Sequence, residues 1–214
     1  LAQRISSINS LSAICEKTGA NIDELSKAIG MDHRIGPKFL KASVGFGGSC
    51  FQKDILKLVY LCDYYGLEEV AEYWHQVIKI NDYQKDRFAQ KIIDHFDSDL
   101  TGKKITVLGW AFKANTNDSR ESPAIYVVEK LFKAGAIFEI YDPIVSKESI
   151  YRDIDFYWKS SKKKDLTERI TVIDSVSKLD LSNDAAVILT EWEGFKNIDF
   201  SETIVFDGRG IISS

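Results

Sequence analysis

The stretch KKITVLGWAFKANTNDSRESPAIYVVEKLFKAGAIFEIYDP, residues 103–143, decides the fold class of this chain. Its first run, KKITVLGWAF, is apolar enough to predict a buried strand. Ser122 is a preferred N-cap residue and Pro123 suits the first helical position, so a helix is predicted to begin there. The run IFEIYDP predicts a second strand. Together these segments form a β-α-β unit, whose crossover is expected to be right-handed.

Three more strands are predicted in the rest of the chain, from the runs RITVIDS, DAAVILTEW and ETIVFDGRG. Short connections join them, and this pattern favours a parallel sheet. Residues 99–214 are therefore predicted to form a doubly wound, Rossmann-like parallel sheet domain. The charged stretch KSSKKKD, residues 159–165, is predicted to be a surface loop.

Residues 1–98 are predicted to be helical. The run LAQRISSINSLSAICEKTG carries apolar residues at helical spacing and stops at Gly19, and Asn21 suits the N-cap of the next helix. The run FQKDILKLVYLCDYYG repeats the helical spacing and ends at Gly66. The chain is thus predicted to be an α/β protein in which a helical region precedes a doubly wound sheet domain.

Composition and charge exclude several functions. The chain has 28 Lys and Arg against 32 Asp and Glu, so no basic surface for nucleic acid or an anionic membrane is indicated. No apolar run reaches the roughly 20 residues of a membrane span. Three cysteines at spacings without a motif argue against a disulfide framework and favour a reducing cytoplasm. Three scattered histidines and no C-x-x-C motif argue against a structural metal site.

Polar residues follow three of the predicted strands, at the ends where doubly wound sheets bind ligands. A dinucleotide site would require G-x-G-x-x-G after the first strand, but only Gly109 is present, followed by Trp110 and Ala111. The sheet is therefore predicted to have Rossmann topology without a pyrophosphate-binding turn. Asp142, which ends the second strand, has two interpretations that stay open: a ribose-binding acid, or a turn aspartate before Pro143.

A second stretch, VGFGGSCFQKDILKL, residues 44–58, places three glycines before a cysteine, and glycines allow close approach to the backbone. Cys50 lies at a predicted loop-to-helix boundary, where the helix dipole favours a thiolate, and Lys53 and Asp54 follow within one turn. Spacing alone leaves two interpretations open for Cys50, a nucleophile or a small buried side chain. Cys15 and Cys62 fall on apolar helical stripes and are predicted to pack in the core.

Three segments in order, GFGGSCFQKD, LGWAFKANTNDSRESPAIYVVEKL and FDGRG, resemble the UDP-glucose/GDP-mannose dehydrogenase family. The resemblance covers essentially the whole chain. It implies two successive NAD-dependent oxidations of UDP-glucose to UDP-glucuronate. Members of this family begin with an NAD-binding domain for which we find no counterpart, so NAD is expected to bind mainly outside this chain. The chain is accordingly expected to be a truncated enzyme and inactive alone.

The same resemblance implies roles for individual residues. Cys50 would be the nucleophile that attacks the intermediate aldehyde and becomes a thioester, and Asp54 would help to activate the water that cleaves it. The implied substrate contacts are Arg34, Lys41, Ala42, Ser43, Val44, Gly45, Phe46, Gly47, Phe112, Lys113 and Arg209. The implied cofactor contacts are Cys50, Phe51, Gln52, Lys53 and Arg120. No metal is implied.

The implied partners are UDP-glucose, UDP-glucuronate and a second copy of the chain. Arg34 matches an arginine that reaches substrate in the neighbouring subunit, so a homodimer or higher homo-oligomer is expected. Two alternatives stay open. One is another nucleotide-sugar dehydrogenase, acting on GDP-mannose or a UDP-N-acetylhexosamine. The other is a non-catalytic UDP-sugar-binding or dimerisation module, although such a module would need no nucleophilic cysteine.

Overall fold

The computed structural model describes residues 1–159 and 163–212, and the chain divides into two compact units, Leu1–Lys85 and Asp86–Ser214. The boundary between the units falls inside the longest helix, which runs over Glu68–His95. The domain boundary predicted between residues 98 and 99 stays a prediction.

The first unit is built from helices, as predicted. The first helix ends at Gly19, whose φ of 75° places it in the left-handed region that terminates many helices. Asn21 caps the second helix, because its side-chain oxygen accepts hydrogen bonds from the N–H groups of Asp23 and Glu24. The helices are α1 (Ala2–Thr18), α2 (Ile22–Gly30), α3 (Phe51–Tyr64) and α4 (Glu68–His95).

The core of the first unit joins three helices and one loop residue. Buried side chains from α1, α3 and α4 form one apolar cluster, and Phe46 from the glycine-containing loop packs into the same cluster. Burying a side chain of this size stabilises a fold by about 1.5–3 kcal/mol. The loop before α3 is therefore tied to the helices by an apolar anchor. The buried members of the cluster are Ala2, Phe46, Ile55, Val77 and Ile78.

The second unit is the predicted doubly wound sheet. Its five strands are all parallel and lie in the order β3-β2-β1-β4-β5. The elements are β1 (Lys104–Leu108), α5 (Pro123–Lys133), β2 (Ile137–Tyr141), α6 (Lys147–Tyr157), α7 (Lys163–Arg169), β3 (Ile170–Ile173), β4 (Ala185–Ile188) and β5 (Ile204–Asp207). Ser122 caps α5, with Pro123 at its first position, as the sequence predicted.

Strand burial explains why the sheet was predictable. Parallel sheets are covered on both faces, so their central strands read as nearly continuous apolar runs. In β1 the side chains of Ile105, Val107 and Leu108 are inaccessible to solvent, and all four residues of β4 are buried. The strand order reverses between β1 and β4, and this is the point where sheets of this kind bind ligands.

The charged stretch at residues 159–165 was only partly predicted. Residues 160–162 lie outside the described residues, and from Lys163 the chain is helical, so the loop prediction is wrong for residues 163–165. Asp165 in the first turn and Arg169 in the last turn suit the helix dipole, which favours this short helix. Among the residues that the structure describes, no helix has the length and apolar character needed to cross a membrane.

Candidate functional site

Cys50 differs from the other two cysteines in its surroundings. Its residue is exposed at the N-cap position of α3, whereas Cys15 and Cys62 are only 5% and 6% exposed, and all three are free thiols. The prediction that Cys15 and Cys62 pack in the core is confirmed. The Ser49 hydroxyl lies 3.8 Å from the Cys50 sulfur. A solvent-accessible thiol at the start of a helix is available to react with a ligand.

The first turn of α3 carries ionisable groups beside that thiol. The Asp54 N–H donates to the Cys50 carbonyl at 2.9 Å, which is the first hydrogen bond of the helix. Asp54 therefore lies one turn along from Cys50 on the same side, and both Asp54 and Lys53 are exposed. The N–H groups of the three residues before Asp54 have no acceptor within the helix, so this turn favours a negatively charged ligand.

The glycine-containing loop lies mostly inside the first unit. Lys41 is exposed and Ala42 is half-buried, but the backbone from Val44 to Gly47 is buried. Both main-chain groups of Phe46 bind one side chain: its N–H donates to Asn81 Oδ1 at 2.8 Å, and its carbonyl accepts from Asn81 Nδ2 at 3.0 Å. The loop residues implied as substrate contacts are thus held from behind by α4.

Two further amide side chains bind Ser43 in the same loop. The Ser43 N–H donates to Asn9 Oδ1 at 2.9 Å, and the Ser43 carbonyl accepts from Gln84 Nε2 at 2.7 Å. Sequence reasoning missed Asn9, Asn81 and Gln84. A signal was present, because Asn81 follows the buried Val77 at i+4 on the apolar stripe of α4.

Gly45 is required by a side chain of the protein itself. Its φ is +124°, and a Cβ at this position would lie 2.9 Å from Asn81 Oδ1. The sequence predicted that some group approaches this glycine-rich backbone closely. At Gly45 that group is the side chain of Asn81 on α4.

Arg34 and Arg120 share one local arrangement, although they belong to different units. Each guanidinium pairs with an aspartate two residues earlier, Arg34 with Asp32 at 2.6 Å and Arg120 with Asp118 at 2.8 Å. Each arginine N–H also donates to the same carboxylate. Hydrogen bonds from the Arg120 side chain hold the pKa of Asp118 below its ordinary value, and Arg34 does the same for Asp32. Both arginines are mainly exposed, so ligands can reach them.

The second unit places Arg209 at the ends of three strands. Arg209 is 8% exposed, and its guanidinium donates from Nε to the Leu189 carbonyl at 2.7 Å and from Nη2 to the Phe112 carbonyl at 3.1 Å. Glu191, which sequence reasoning missed, lies 3.3 Å from Nε. Burial lowers the pKa of Arg209, while the charges of Glu191 and Asp207 oppose that effect. Phe112 and Arg209 are therefore brought together.

Lys113 lies beside this group and faces solvent. Its ammonium is 5.6 Å from the centroid of the Phe112 ring, and its residue is exposed. The exposed lysine next to a half-buried aromatic side chain offers a cationic contact and an apolar contact to one ligand. The strand-end residues therefore differ in availability: Lys113 is accessible, whereas Arg209 is bound to main-chain carbonyls.

Asp142 is a turn aspartate, the second of its two interpretations. Oδ2 accepts from the N–H groups of Trp110 and Ala111 at 2.7 and 3.0 Å and from the Trp192 indole at 3.1 Å. Oδ1 accepts from the N–H groups of Ile144 and Val145 at 2.9 and 2.8 Å. Five donors occupy both oxygens of a carboxylate that is 6% exposed, so no oxygen is left to face a ribose.

The turn after β1 cannot hold a pyrophosphate. Asp142 already occupies the N–H groups of Trp110 and Ala111 that would face the phosphates. Gly109 is packed against a neighbour, since a Cβ there would lie 2.4 Å from Thr190 Cβ. The sequence prediction of a sheet without a pyrophosphate turn fits this geometry. Within residues 1–159 and 163–212, no group of three or more His, Cys, Asp or Glu side chains is arranged to hold a metal ion.

Both units match models of one protein family. Residues 1–83 match the central domain of the UDP-glucose/GDP-mannose dehydrogenase family, and residues 106–214 match the UDP binding domain of the same family. These two matches cover the loop before α3 and the parallel sheet except for Lys104 and Ile105 at the start of β1.

Curated relatives and a solved structure match along the chain. UDP-glucose 6-dehydrogenase of Bos taurus is 51% identical over 99% of this chain and 44% of its own length. UDP-glucose 6-dehydrogenase 1 of Arabidopsis thaliana is 46% identical over 100% of this chain and 48% of its own length. A UDP-glucose dehydrogenase from Pyrobaculum islandicum superposes with a TM-score of 0.82 and 29% identity, covering 98% of this chain and 45% of that structure. The chain spans about half the length of the curated relatives it matches.

Proposed function

Because this chain belongs to the UDP-glucose/GDP-mannose dehydrogenase family, we propose that it supplies the reactive thiol and the UDP-binding sheet of an NAD-dependent enzyme that oxidises UDP-glucose to UDP-glucuronate. The relatives at 46% and 51% identity carry the UDP-glucose 6-dehydrogenase name, which favours UDP-glucose over the sugar nucleotides of other family members. Catalysis is assigned to the helical region, residues 1–98, and UDP binding to residues 99–214.

One observation carries the proposal: Cys50 is exposed at the start of α3, behind a glycine-containing loop, while Cys15 and Cys62 are buried. A module that only binds a sugar nucleotide or a second subunit has no use for an accessible thiol in that position. The same observation therefore favours an enzyme over the non-catalytic alternative.

The reaction at Cys50 is proposed in three steps. The thiolate sulfur adds to C6 of the aldehyde formed by the first oxidation, and the carbonyl oxygen takes up a proton to give a thiohemiacetal. Loss of that proton and of a hydride from C6 leaves a thioester. Water then adds to the thioester, the carbon–sulfur bond breaks, and the products are a carboxylate and the free thiol. Asp54, exposed one turn after Cys50, accepts a proton from this water.

The cofactor contacts are proposed at the first turn of α3. Bound NAD⁺ would accept one hydride in each oxidation. The main-chain N–H groups of Phe51, Gln52 and Lys53, with the Lys53 ammonium, suit its negatively charged diphosphate. Arg120, which is mainly exposed and pairs with Asp118, is proposed as a second cationic contact. The turn after β1 does not fit this role, because Asp142 occupies its N–H groups.

We propose substrate contacts for each unit separately. In the first unit the loop from Lys41 to Gly47 would hold the sugar. In the second unit Lys113 would contact the diphosphate of UDP as an exposed cation, and Phe112 would contact its apolar surface. Arg209 would contribute its positive charge to UDP binding from the ends of the strands.

The proposed assembly is a homodimer or higher homo-oligomer in the cytoplasm. Exposed apolar side chains at Leu56, Tyr60 and Tyr64 form a stripe along α3 and favour a covered face, because exposed apolar patches commonly mark interaction sites. Arg34 would then reach substrate in the neighbouring subunit. Free cysteines suit a reducing compartment. The exposed apolar residues of α3 are Leu56, Leu58, Tyr60, Leu61 and Tyr64.

The test is a chimera in which this chain replaces its matching segment, 44% of the bovine relative. The unsubstituted chimera should form UDP-glucuronate and reduce NAD⁺. The Cys50→Ser variant should lose turnover by about a thousandfold or more, because an oxygen ester does not replace the thioester route. Cys62→Ala is the matched control and should retain turnover. Near-normal activity of Cys50→Ser would remove Cys50 from its proposed role.

A further inference from the structure

Three amide side chains, Asn9 from α1 and Asn81 and Gln84 from α4, hold the loop of residues 43–46 through four hydrogen bonds to its main chain. We call these three side chains the amide clamp. Asn9 and Asn81 are each 1% exposed, and solvent does not compete for the two buried bonds between Asn81 and Phe46. Removing one such partner leaves a buried main-chain group unsatisfied, which makes the clamp a strong constraint on the loop.

Phe46 connects the amide clamp to the reactive cysteine. Asn81 binds both main-chain groups of Phe46, so it fixes the direction in which the Phe46 side chain points. The Phe46 ring packs edge-on against Phe51, with centroids 5.7 Å apart and planes at 81°. Phe51 is the first residue of α3 and follows Cys50 directly in the chain. A shift of Phe46 would therefore reach the backbone that carries the thiol.

We propose that Asn81, assisted by Gln84 and Asn9, is a positioning residue that sets the location of Cys50 through Phe46 and Phe51. This inference rests on the function proposed above, because it assumes that Cys50 attacks a substrate carbon. The neutral carboxamide suits the task, since it satisfies one donor and one acceptor of Phe46 without placing a charge behind the loop.

Gly45 supports the same interpretation from the other side of the contact. A Cβ at residue 45 would meet Asn81 Oδ1 at 2.9 Å, so the loop has no space for a side chain while Asn81 stays in place. The glycine and the asparagine are matched to each other, and a change at either residue disturbs the same hydrogen bonds.

The first experiment measures the loop in this chain. Hydrogen–deuterium exchange of a peptide covering residues 43–47 should accelerate by about tenfold or more in Asn81→Leu, because two hydrogen bonds to Phe46 are lost. Gln76→Leu removes an exposed amide from the same helix and should leave the loop unchanged. Loop exchange that is equal in the two variants would overturn the clamp.

The second experiment measures the reaction in the bovine chimera. At a temperature well below both melting points, Asn81→Leu should lower kcat for UDP-glucose by about ten- to a hundredfold, since a misplacement near 1 Å costs that much. The KM for NAD⁺ should stay within about twofold, because the variant does not remove the helix N–H groups. A merely structural role would lower the melting temperature and leave kcat for the folded enzyme unchanged, and that result would overturn the inference.

Two controls keep the outcome readable. If Asn81→Leu fails to fold, Gln84→Met replaces it, because Gln84 makes a single bond to the Ser43 carbonyl. Gln84→Met should lower kcat for UDP-glucose by about threefold and leave the KM for NAD⁺ unchanged. An unchanged kcat in this folded variant would refute the proposal. An inactive unsubstituted chimera would overturn the proposed function and this inference together. An active one with unchanged Asn81→Leu kinetics would overturn the inference alone.

Discussion

In each unit one buried side chain binds several main-chain groups of a turn or loop, and the two side chains, an aspartate and an asparagine, differ only in their terminal group. Asp142 accepts from five N–H donors: two in the turn after β1, two in its own turn after β2, and the Trp192 indole. Asn81 holds the loop at Phe46 by accepting from one N–H and donating to one carbonyl. The carboxylate suits a turn that presents only donors, and the carboxamide suits a turn that presents both kinds of group.

The difference also has an electrostatic consequence. In the first unit the loop beside the exposed Cys50 thiol is held by uncharged amides. In the second unit a charged carboxylate and the buried guanidinium of Arg209 hold the strand ends together. The second unit therefore holds its strand ends with ionisable side chains, whereas the first unit holds its loop with neutral ones.

The largest expected effect is that of Asp142→Asn. The introduced NH₂ group takes the place of Oδ2, which accepts from three N–H donors, or of Oδ1, which accepts from two. At least two donors therefore lose their acceptor. We expect the free energy of unfolding of the second unit to fall by roughly 3–5 kcal/mol, at about 1–3 kcal/mol for each unsatisfied group. Chemical denaturation followed by tryptophan emission would measure this, since Trp110, Trp158 and Trp192 all lie in this unit.

Asp199→Asn is the control for that measurement. Asp199 is exposed and accepts from Ser201 in a surface turn, so its replacement should change the free energy of unfolding by less than about 0.5 kcal/mol. Equal effects at the two aspartates would show that the number of donors does not decide the cost.

The opposite exchange, Asn81→Asp, should cost less. One oxygen keeps its bond to the Phe46 N–H, but the other faces the Phe46 carbonyl and repels it. We expect a loss of about 2–3 kcal/mol at pH 7. Burial raises the pKa of the introduced carboxyl, and its protonated form can donate to the carbonyl, so the loss should shrink as pH falls. The pH dependence of the difference from the unsubstituted chain would be measured by denaturation, and a constant difference would contradict the expectation.

Acid should weaken the second unit. Lys104 and Lys103 lower the pKa of Asp184, and Arg120 lowers that of Asp118. A carboxyl group whose pKa is lower in the folded state stabilises the protein when the pH is above the pKa of the unfolded state. This contribution is lost as the pH falls through the pKa of the folded state. After allowance for screening, we expect these two groups to contribute roughly 1–2 kcal/mol, lost below about pH 4. Tryptophan emission in Trp74→Phe would follow residues 86–214 during acid titration.

A double variant sharpens the acid measurement. Asp118→Asn with Asp184→Asn should be less stable at pH 7 and should lose less stability between about pH 4 and pH 2. An unchanged acid slope in the double variant would show that other carboxyl groups cause the acid sensitivity.

The elements were predictable where a pattern repeats along the chain. The strands read as apolar runs because both faces of the parallel sheet are covered, and Ser122 with Pro123 marks a helix start by local chemistry alone. Cys50 was placed at a helix start for the same reason. These features depend on neighbours within a few residues, and a single sequence contains that information.

The partners of the turns were not predictable from the sequence. Phe46 and Asn81 are 35 residues apart, and Arg209 reaches a carbonyl 97 residues earlier. A sequence specifies that an arginine is charged but not that two main-chain carbonyls will bind it. Similarly, the glycines of the loop indicated a close approach, and only the structure identified Asn81 as the group that approaches Gly45.

The smallest expected effect concerns the three thiols. Cys62→Ala should lower the free energy of unfolding by about 1 kcal/mol, since it removes a buried sulfur from a site that is 6% exposed. Cys50→Ala should change it by less than about 0.5 kcal/mol, because the Cys50 residue is exposed and the Ser49 hydroxyl lies 3.8 Å from its sulfur. Urea denaturation of the first unit, followed by the emission of Trp74, would measure both values. A cost at Cys50 equal to that at Cys62 would mean that the Cys50 thiol is a packing element of the loop. The conformation of the loop would then depend on the Cys50 thiol as well as on the amide clamp. The first unit would no longer separate the side chains that hold the loop from the thiol that the loop presents.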